Sequence, residues 1–330
     1  MTQSSGSEHD LGGRCVSGET VGVTGATGFL GSSLLDHLIE RGYRVRALTR
    51  SMSPRELPHA EQVQWLRGDL LSERDCACFV EGLAAIVHLA HSGTPLTSNR
   101  DLPAGAAANL IPTLNLLQAT RAMGGSVHVV FASTGGAMYK PSSTRRPFRE
   151  SSRCEPDSSY GLLKLVSEQY LRMAAARGWV RATCLRIANP YGVILPAQRL
   201  QGLIGVALDH VIHGRPIRIF GSLDNVRDYV HVTDVARAFE CAMNDRAQFG
   251  IYNIGSGRGY AVRDVLDLMR HYLREAVPIE VTPDVGEAQY LPSWAVLDIG
   301  KARARLGWSP AIPLDEGLQA LCDVARARRG

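Results

Sequence analysis

Tyr160 and Lys164 are the two residues whose types and spacing most clearly indicate chemistry. They lie four apart in the stretch SSYGLLKLVSEQ, residues 158–169, which predicts a helix. Side chains four apart share one helical face. An ammonium group beside a phenol stabilises the phenolate and would lower the pKa of the tyrosine from about 10 towards working pH. The pair suits proton transfer, although the same spacing occurs where a lysine only reaches solvent.

A second candidate site is the glycine-rich stretch TVGVTGATGFLG near the start of the chain. In such a loop the first glycine permits a tight turn, the second lets the backbone approach a phosphate, and the third lets a helix pack closely. The N–H groups and dipole at the N-terminus of the helix favour an anion. The spacing predicts a dinucleotide-binding loop, with a glycine-rich turn that binds nothing as the alternative. Its residues would be Gly25, Thr27, Gly28, Phe29, Leu30 and Gly31.

The elements that position these motifs alternate between strand and helix. Strand-like runs occupy residues 21–23, 44–50, 63–70, 83–91, 126–134 and 181–187, and helical patterns follow Gly31 and cover about 105–123 and 159–177. The alternation predicts an α/β fold: a Rossmann-like, doubly wound parallel sheet whose ligand crevice lies at the carboxyl ends of the strands.

The pattern loosens after about residue 190, which predicts a division of the chain. We expect a flexible N-terminal extension over residues 1–19 and a dinucleotide-binding Rossmann domain over 20–188. Residues 189–330 would form mainly a smaller C-terminal substrate-binding lobe, with a segment at about 229–260 returning to the Rossmann domain.

Composition narrows the classes of function. The 330 residues are 45% hydrophobic and 21% charged with a net charge of +4, which is ordinary for a globular protein and argues against a nucleic-acid partner. No apolar run is long enough to span a membrane, and the polar start lacks the features of a signal peptide. Seven scattered cysteines with no second pair near CAC at 76–78 favour reduced thiols, a cytoplasmic location and no metal site.

The GxxGxxG spacing resembles the short-chain dehydrogenase/reductase superfamily, and the resemblance runs from about residue 20 to 325. RGDL and HLA resemble two cofactor-binding strand ends of that superfamily. The resemblance implies that Asp69 and Leu70 contact the adenine. It also implies that Leu89 and Ala90 lie beside the nicotinamide ribose.

Later stretches resemble the extended subgroup of the superfamily, the NAD-dependent epimerase/dehydratase family. FAST at 131–134 resembles the strand that carries a catalytic hydroxyl, and Tyr160 and Lys164 match the YxxxK pattern of the family. RIANPYG and RDYVHVTDVA resemble members that act on nucleotide sugars, among them UDP-galactose (UDP-glucose) 4-epimerases and sugar 4-ketoreductases.

The resemblance implies roles for the matched residues. Tyr160 would be the acid/base, and Lys164 would hold the ribose of the dinucleotide as well as tune the tyrosine. Ser133 or Thr134 would hydrogen-bond the reacting sugar oxygen, with Ser133 preferred, and strand-end capping is the alternative role for both. Asn189 in NPYG and Arg227 in VRDYV would bind the substrate.

The chain departs from the family pattern where the ribose of the cofactor would bind. An acidic residue at the end of the second strand favours NAD, but this strand ends in Thr49 and Arg50. Arginine pairs with a 2′-phosphate, so Arg50 favours NADP over NAD, unless it is merely solvated.

Two further departures concern the substrate. Gly135 and Gly136 follow Thr134, where sugar dehydratases of the family carry an acidic pair, so elimination of water lacks an acid and a base. The second of two diphosphate-binding arginines is also missing near Asp284 and Ala288. Arg258 and Arg199 are candidates to replace it.

These observations favour an NAD(P)-dependent nucleotide-sugar 4-epimerase. The alternative is an NADPH-dependent 4-ketoreductase for a nucleotide-linked deoxysugar. A distant alternative is a non-catalytic NADP sensor, which would be expected to lose Tyr160 or Lys164.

The helices at about 105–123 and 159–177 carry apolar residues around more than one face, which predicts a homodimer, with packing of all these residues into the core as the alternative. Leu110, Leu114 and Leu117 form a stripe on the first helix. The second helix carries Leu162, Leu165, Val166 and Met173. Relatives in the extended subgroup commonly pair these helices about a two-fold axis.

Overall fold

A computed structural model describes most of the chain: residues 18–50, 60–124, 127–141, 144–196, 202–274, 277–282 and 292–329. The strands are β1 (Thr20–Thr24), β2 (Arg44–Thr49), β3 (Val63–Arg67), β4 (Ala85–His88), β5 (His128–Thr134), β6 (Arg181–Ile187), β7 (Asn189–Tyr191), β8 (Ile217–Phe220), β9 (Val226–His231), β10 (Phe249–Ile254), β11 (Gly259–Ala261), β12 (Ile279–Thr282) and β13 (Trp294–Ala295). The helices are α1 (Phe29–Glu40), α2 (Glu73–Val80), α3 (Leu102–Ala122), α4 (Ser159–Ala176), α5 (Leu203–Ile212), α6 (Val232–Met243), α7 (Val262–Leu273), α8 (Gly300–Leu306) and α9 (Leu314–Arg329).

Seven of these strands form one parallel sheet in the order β10-β6-β5-β4-β1-β2-β3. Every residue of β4 and β5 is buried, because helices cover both faces of the sheet. Helices α1 and α6 pack together on one face, and α2, α3 and α4 pack in sequence on the other. This arrangement confirms the predicted Rossmann-like, doubly wound fold.

The strand order reverses between β1 and β4. From β1 the chain builds outwards through β2 and β3, and then crosses back to β4 before it continues through β5, β6 and β10. A crevice therefore opens at the carboxyl ends of β1 and β4, where open α/β sheets bind their ligands. The glycine loop follows β1, and Leu89 and Ala90 follow β4, so both motifs lie at this crevice.

The rest of the C-terminal half forms a smaller lobe with its own apolar core. β9 pairs with β7, β11 and β13, and β8 pairs with β12. Helices α5, α7 and α9 pack against each other and bury a cluster that includes Leu208, Leu266 and Leu318. β10 leaves this lobe and pairs with β6 in the main sheet, within the segment at about 229–260 that was expected to return.

The structure contains a helix, α2, that the sequence analysis did not predict. It also buries Leu117, which was predicted to lie on the dimer surface. Helix α2 begins after Ser72, whose hydroxyl accepts a hydrogen bond from the N–H of Asp75, a capping pattern that was readable in SERD. Leu117 on α3 is only 4% exposed and packs with Phe131 and Leu171. It therefore lies in the core and cannot contribute to a dimer surface.

Among the described residues, no helix is long and apolar enough to cross a membrane. The six cysteines in the described part of the chain are unpaired. Those same residues include no group of three or more His, Cys, Asp or Glu side chains that could hold a metal ion. Most of the expected N-terminal extension, residues 1–17, lies outside the described residues.

Candidate active site

The glycine loop has the close backbone contacts that require glycine. Gly25 has a φ of +70°, and a Cβ there would lie 2.7 Å from the backbone nitrogen of Ala90. A Cβ on Gly31 would lie 2.3 Å from the carbonyl oxygen of Gly25 and 2.5 Å from that of Ala26. Both positions therefore exclude any side chain, the first at the turn and the second where α1 packs on the loop.

The N-terminus of α1 is open to a ligand. Gly28 is the N-cap residue, no side chain caps the helix, and its first turn contains no acidic residue. Among the described residues, only the carbonyl oxygen of Gly25 lies within 4 Å of a Cβ built on Gly28. Thr27 is exposed, and Phe29 and Leu30 begin the helix. This donor set fits the pyrophosphate of a dinucleotide.

The other predicted cofactor residues lie at neighbouring strand ends. Asp69 accepts a hydrogen bond from the N–H of Leu71 at 2.9 Å, and this turn leaves Leu70 buried beside it. Leu89 and Ala90 are held to β1, because their N–H groups donate to the carbonyl and hydroxyl oxygens of Thr24.

Arg50 lies exposed just beyond the end of β2. Residues 51–59, which continue this loop, lie outside the described residues. No salt bridge joins Arg50 to another described residue, and a guanidinium group at this strand end suits a phosphate.

The two hydroxyls at the end of β5 have different partners. Ser133 donates to Oε1 of Glu168 at 2.5 Å, deep in the protein. Thr134 lies at the same strand end and opposes the effect of burial on the pKa of Tyr160. Ser133, the preferred hydroxyl, is thus engaged with a buried carboxylate, whereas Thr134 influences the proposed acid/base.

Lys164 is buried one helical turn after Tyr160. Its Nζ donates to the carbonyl oxygen of Ala132 at 2.7 Å, which fixes the ammonium group at the end of β5. Nζ also lies 4.7 Å from the ring centroid of Phe131 and 5.9 Å from that of Tyr160. The i, i+4 spacing therefore does bring the two groups to one site, as the helical pattern predicted.

Burial determines the electrostatics of this pair. It raises the pKa of Tyr160, and the hydrogen bond from Thr134 opposes that shift. Burial also lowers the pKa of Lys164 to about 7, although the nearby carboxylate of Glu168 opposes the change. The sequence predicted a lowered tyrosine pKa; the structure instead raises the pKa of Tyr160, because burial disfavours the charged phenolate.

Two histidines, His88 at the end of β4 and His91 just after it, were given no role from the sequence. His88 is buried and bonded through both ring nitrogens, to Thr24 at 2.7 Å and Thr113 at 3.1 Å. His91 packs edge-to-face on Tyr160, with ring centroids 4.9 Å apart and planes at 89°. The only sequence signal was the second histidine of HLAH, directly after the strand end.

Arg227 is a half-buried cation with no salt bridge to any described residue. It donates to the carbonyl oxygen of Val226 at 2.9 Å. Burial lowers its pKa, which reflects the cost of an unpaired charge there. Asn189 begins β7, and its Oδ1 lies 3.5 Å from a Cβ built on Gly136, so it faces the segment after β5.

Arg258 lies in an open, basic cavity of about 1030 Å³ that contains neither Tyr160 nor Lys164 in its lining. The cationic residues around it are Lys140, Arg146, Arg149, Arg153, Arg258 and Arg303. Arg199, the other candidate for the second diphosphate arginine, lies outside the described residues, as do Asp284 and Ala288.

Curated relatives of the chain include reductases and epimerases of nucleotide sugars. An Escherichia coli dTDP-4-dehydro-6-deoxyglucose reductase is 29% identical in an alignment of 317 positions that covers 93% of this chain and 97% of that enzyme. A putative UDP-glucose 4-epimerase of Methanocaldococcus jannaschii is 30% identical over 299 residues, 90% of this chain and 95% of that protein.

Solved structures of UDP-glucose 4-epimerases resemble this fold. The Thermotoga maritima enzyme, solved with UDP-glucose, superposes with a TM-score of 0.84 at 30% identity and covers 93% of this chain and 99% of its own. The Thermus thermophilus enzyme in complex with NAD gives a TM-score of 0.84 at 29% identity, with the same coverage. A model of the NAD-dependent epimerase/dehydratase family matches residues 21–255, which is more than half of the sequence. The chain therefore belongs to the NAD-dependent epimerase/dehydratase family.

Proposed function

We propose that the protein is a nucleotide-sugar 4-epimerase that works by transient hydride transfer at a sugar carbon. The observation that carries this proposal is the cluster of Thr134, Tyr160 and Lys164 at the carboxyl end of β5, in the same crevice as the open glycine loop. The similarity to UDP-glucose 4-epimerases, over almost the whole chain, supports it.

In this mechanism Tyr160 moves the proton of the sugar hydroxyl at C4. A bound nicotinamide dinucleotide supplies a reversible acceptor for the hydride of the same carbon. Thr134 lies at the strand end beside the phenol and would orient it, and Lys164, held by the carbonyl oxygen of Ala132, would stabilise the phenolate when it forms. Tyr160 returns the proton after the sugar has turned in the site.

Arg227 and Asn189 would hold the substrate. A half-buried guanidinium group with no salt bridge to any described residue suits the diphosphate of a nucleotide sugar, since charge-assisted hydrogen bonds to phosphate are strong. Asn189 lies close to the glycines after β5 and suits a sugar hydroxyl.

A 4-ketoreductase that acts on a nucleotide-linked deoxysugar is the second candidate. Two observations favour it: the similarity to the E. coli dTDP-4-dehydro-6-deoxyglucose reductase and the exposed Arg50 beyond β2. A reductase exchanges its cofactor at each turnover and NADPH is a common donor, so Arg50 would bind the 2′-phosphate. A sensor without activity is disfavoured, because both Tyr160 and Lys164 are present and meet at one site.

We also propose a homodimer formed by α3 and α4. Ile111 on α3 is 41% exposed, and Leu162 and Tyr170 on α4 are 51% and 36% exposed. Large apolar side chains on two adjacent helices form the kind of self-complementary surface that a two-fold axis joins. Leu162 is suited to a test of this interface because it is exposed, whereas Leu117 is buried in the core.

Replacing Tyr160 with Phe tests the proposed chemistry. We expect turnover to fall about 10²–10⁴-fold while dinucleotide affinity holds, because only the acid/base hydroxyl is removed. Tyr170→Phe on the same helix is the matched control. Interconversion of UDP-glucose and UDP-galactose without added cofactor supports the epimerase, and NADPH consumption with a dTDP-4-keto-deoxysugar supports the reductase. Normal turnover in Tyr160→Phe would exclude this tyrosine as the acid/base.

Replacing Arg50 with Ala tests the choice of cofactor. We expect NADP to lose about tenfold in affinity relative to NAD, because the 2′-phosphate loses its cation. Arg44→Ala, at the other end of β2, is the control. Equilibrium titration with both dinucleotides measures the ratio, and an unchanged ratio would mean that Arg50 is only solvated.

Replacing Arg227 with Ala tests the diphosphate contact. We expect the KM for the nucleotide sugar to rise about tenfold or more, with dinucleotide affinity unchanged. Arg218→Ala, an exposed arginine of the same lobe, serves as the control. Equal losses for the nucleotide sugar and the free sugar would assign Arg227 a structural role instead.

Replacing Leu162 with Arg tests the dimer. We expect light scattering to give twice the chain mass for the wild type at micromolar concentration and a shift to monomer in the variant, because a charge cannot be buried without a partner at the interface. The control is Val324→Arg, since Val324 is 43% exposed and lies on α9, away from the proposed interface. This variant should remain dimeric. A monomeric wild type would refute the dimer, and a dimeric Leu162→Arg would move the interface elsewhere.

A further inference from the structure

His91 carries a polar atom that the protein itself leaves unsatisfied. Its Nε2 is buried and has no hydrogen-bond partner among the residues that the structure describes. His88, three residues earlier, uses both ring nitrogens within the protein. The two histidines therefore differ: both ring nitrogens of His88 are hydrogen-bonded within the protein, whereas Nε2 of His91 has no partner among the described residues.

The backbone on both sides of His91 is anchored. The N–H of Ala90 donates to the hydroxyl of Thr24 at 3.3 Å. The N–H of Ser92 donates to Asn109 at 2.6 Å, and the amide of Asn109 donates back to the carbonyl oxygen of Ser92 at 3.1 Å. His91 is thus held in place between β4 and α3, with only its side-chain torsions free to adapt.

The imidazole of His91 lies at the proposed reaction centre. Its ring meets the ring of Tyr160 edge-to-face, and Tyr160 itself is anchored by its N–H, which donates to the hydroxyl of Ser98 at 2.9 Å. A substrate hydroxyl that reaches the phenol of Tyr160 therefore comes close to His91. The broad χ2 torsion of histidine lets the ring turn Nε2 towards a ligand without any movement of the backbone.

The group is a neutral imidazole at all working pH values. Burial, with the charge of Lys164 as a second cause, lowers the pKa of His91 to about 2. A neutral imidazole offers one donor and one acceptor, which suits a hydroxyl rather than a phosphate or carboxylate. A buried nitrogen without a partner also destabilises the fold, so a ligand that satisfies it gains affinity.

We propose that His91 is a substrate-positioning residue whose Nε2 hydrogen-bonds a hydroxyl of the sugar that reacts at Tyr160. This assignment rests on the proposed function, because it takes the ligand at Tyr160 to be a sugar. The contact holds the sugar in the orientation in which hydride and proton leave it, and it takes no part in proton transfer. It would also select among sugars by the position of the hydroxyl next to the reacting carbon.

The test is a pair of substitutions at His91. His91→Phe keeps a ring of similar size against Tyr160 and removes both nitrogens, whereas His91→Gln restores a polar group near the position of Nε2. His271→Phe is the matched control, since His271 also packs edge-to-face on a tyrosine, Tyr272, with ring centroids 5.1 Å apart, far along the chain in α7. Each variant is assayed with UDP-glucose and UDP-galactose, and its dinucleotide affinity and melting temperature are measured.

We expect His91→Phe to raise the KM for the sugar nucleotide about five- to tenfold while kcat stays within twofold, the mark of a lost contact that is equal in ground and transition states. The dinucleotide Kd should not change. The melting temperature should be equal to or above that of the wild type, because an unsatisfied buried nitrogen is gone. His91→Gln should recover part of the KM, and His271→Phe should match the wild type.

Three results would overturn the assignment while leaving the proposed function intact. Wild-type KM and kcat in His91→Phe would mean that the ring only packs on Tyr160. A lower kcat with unchanged KM would mean that it acts through the orientation of Tyr160. A weaker affinity for the dinucleotide would mean that His91 contacts a ribose hydroxyl of the cofactor and not the sugar. A wild-type protein inert towards both sugar nucleotides would refute the proposed function and this assignment together.

Discussion

The carboxylate of Glu168 joins helix α4 to the two strands behind it, and the geometry of the site depends on that connection. It accepts hydrogen bonds from Ser133 on β5 and from two nitrogens of Arg186 on β6, the closest at 2.6 Å. Tyr160, Lys164 and Glu168 are spaced four apart, so they share one face of α4. Any rotation of α4 that moved the first two away from β5 would break a buried ion pair, at a cost of about 3–5 kcal/mol.

Hydrogen bonds connect the pair of Glu168 and Arg186 to β10, the edge strand of the sheet. Arg186 also donates to the hydroxyl of Tyr139 at 3.1 Å, and that hydroxyl donates to Asn253 on β10 at 2.6 Å. Asn253 in turn donates to the carbonyl oxygen of Phe148 in the loop between β5 and α4. The segment that returns from the C-terminal half therefore anchors the loop that leads into the catalytic helix, and both halves of the chain contribute to one site.

Local patterns predicted the features of the site that depend on sequence spacing alone. The alternation of elements, the glycine loop and the pairing of Tyr160 with Lys164 follow from periods of two and 3.6 residues. The choice between Ser133 and Thr134 could not be made from spacing. It depends on the hydrogen bond from Ser133 to Glu168 on α4, which lies 35 residues further along the chain. Leu117 and His91 were misjudged or missed for the same reason: whether a side chain has a partner depends on tertiary packing, which spacing does not contain.

The balance of charge at Tyr160 and Lys164 explains why one site serves both candidate reactions. Burial raises the pKa of Tyr160, and the protonated phenol is the proton donor that reduction of a keto sugar needs. Oxidation of a hydroxyl needs the phenolate, which the ammonium group of Lys164, 5.9 Å from the ring centroid of Tyr160, would stabilise. An epimerase uses both directions in turn, and a reductase uses only the first. In both proposed reactions Tyr160 and Lys164 would play the same part, and the difference would lie in binding: how firmly Arg50 and the N-terminus of α1 retain the dinucleotide, and how freely the sugar turns against its polar contacts.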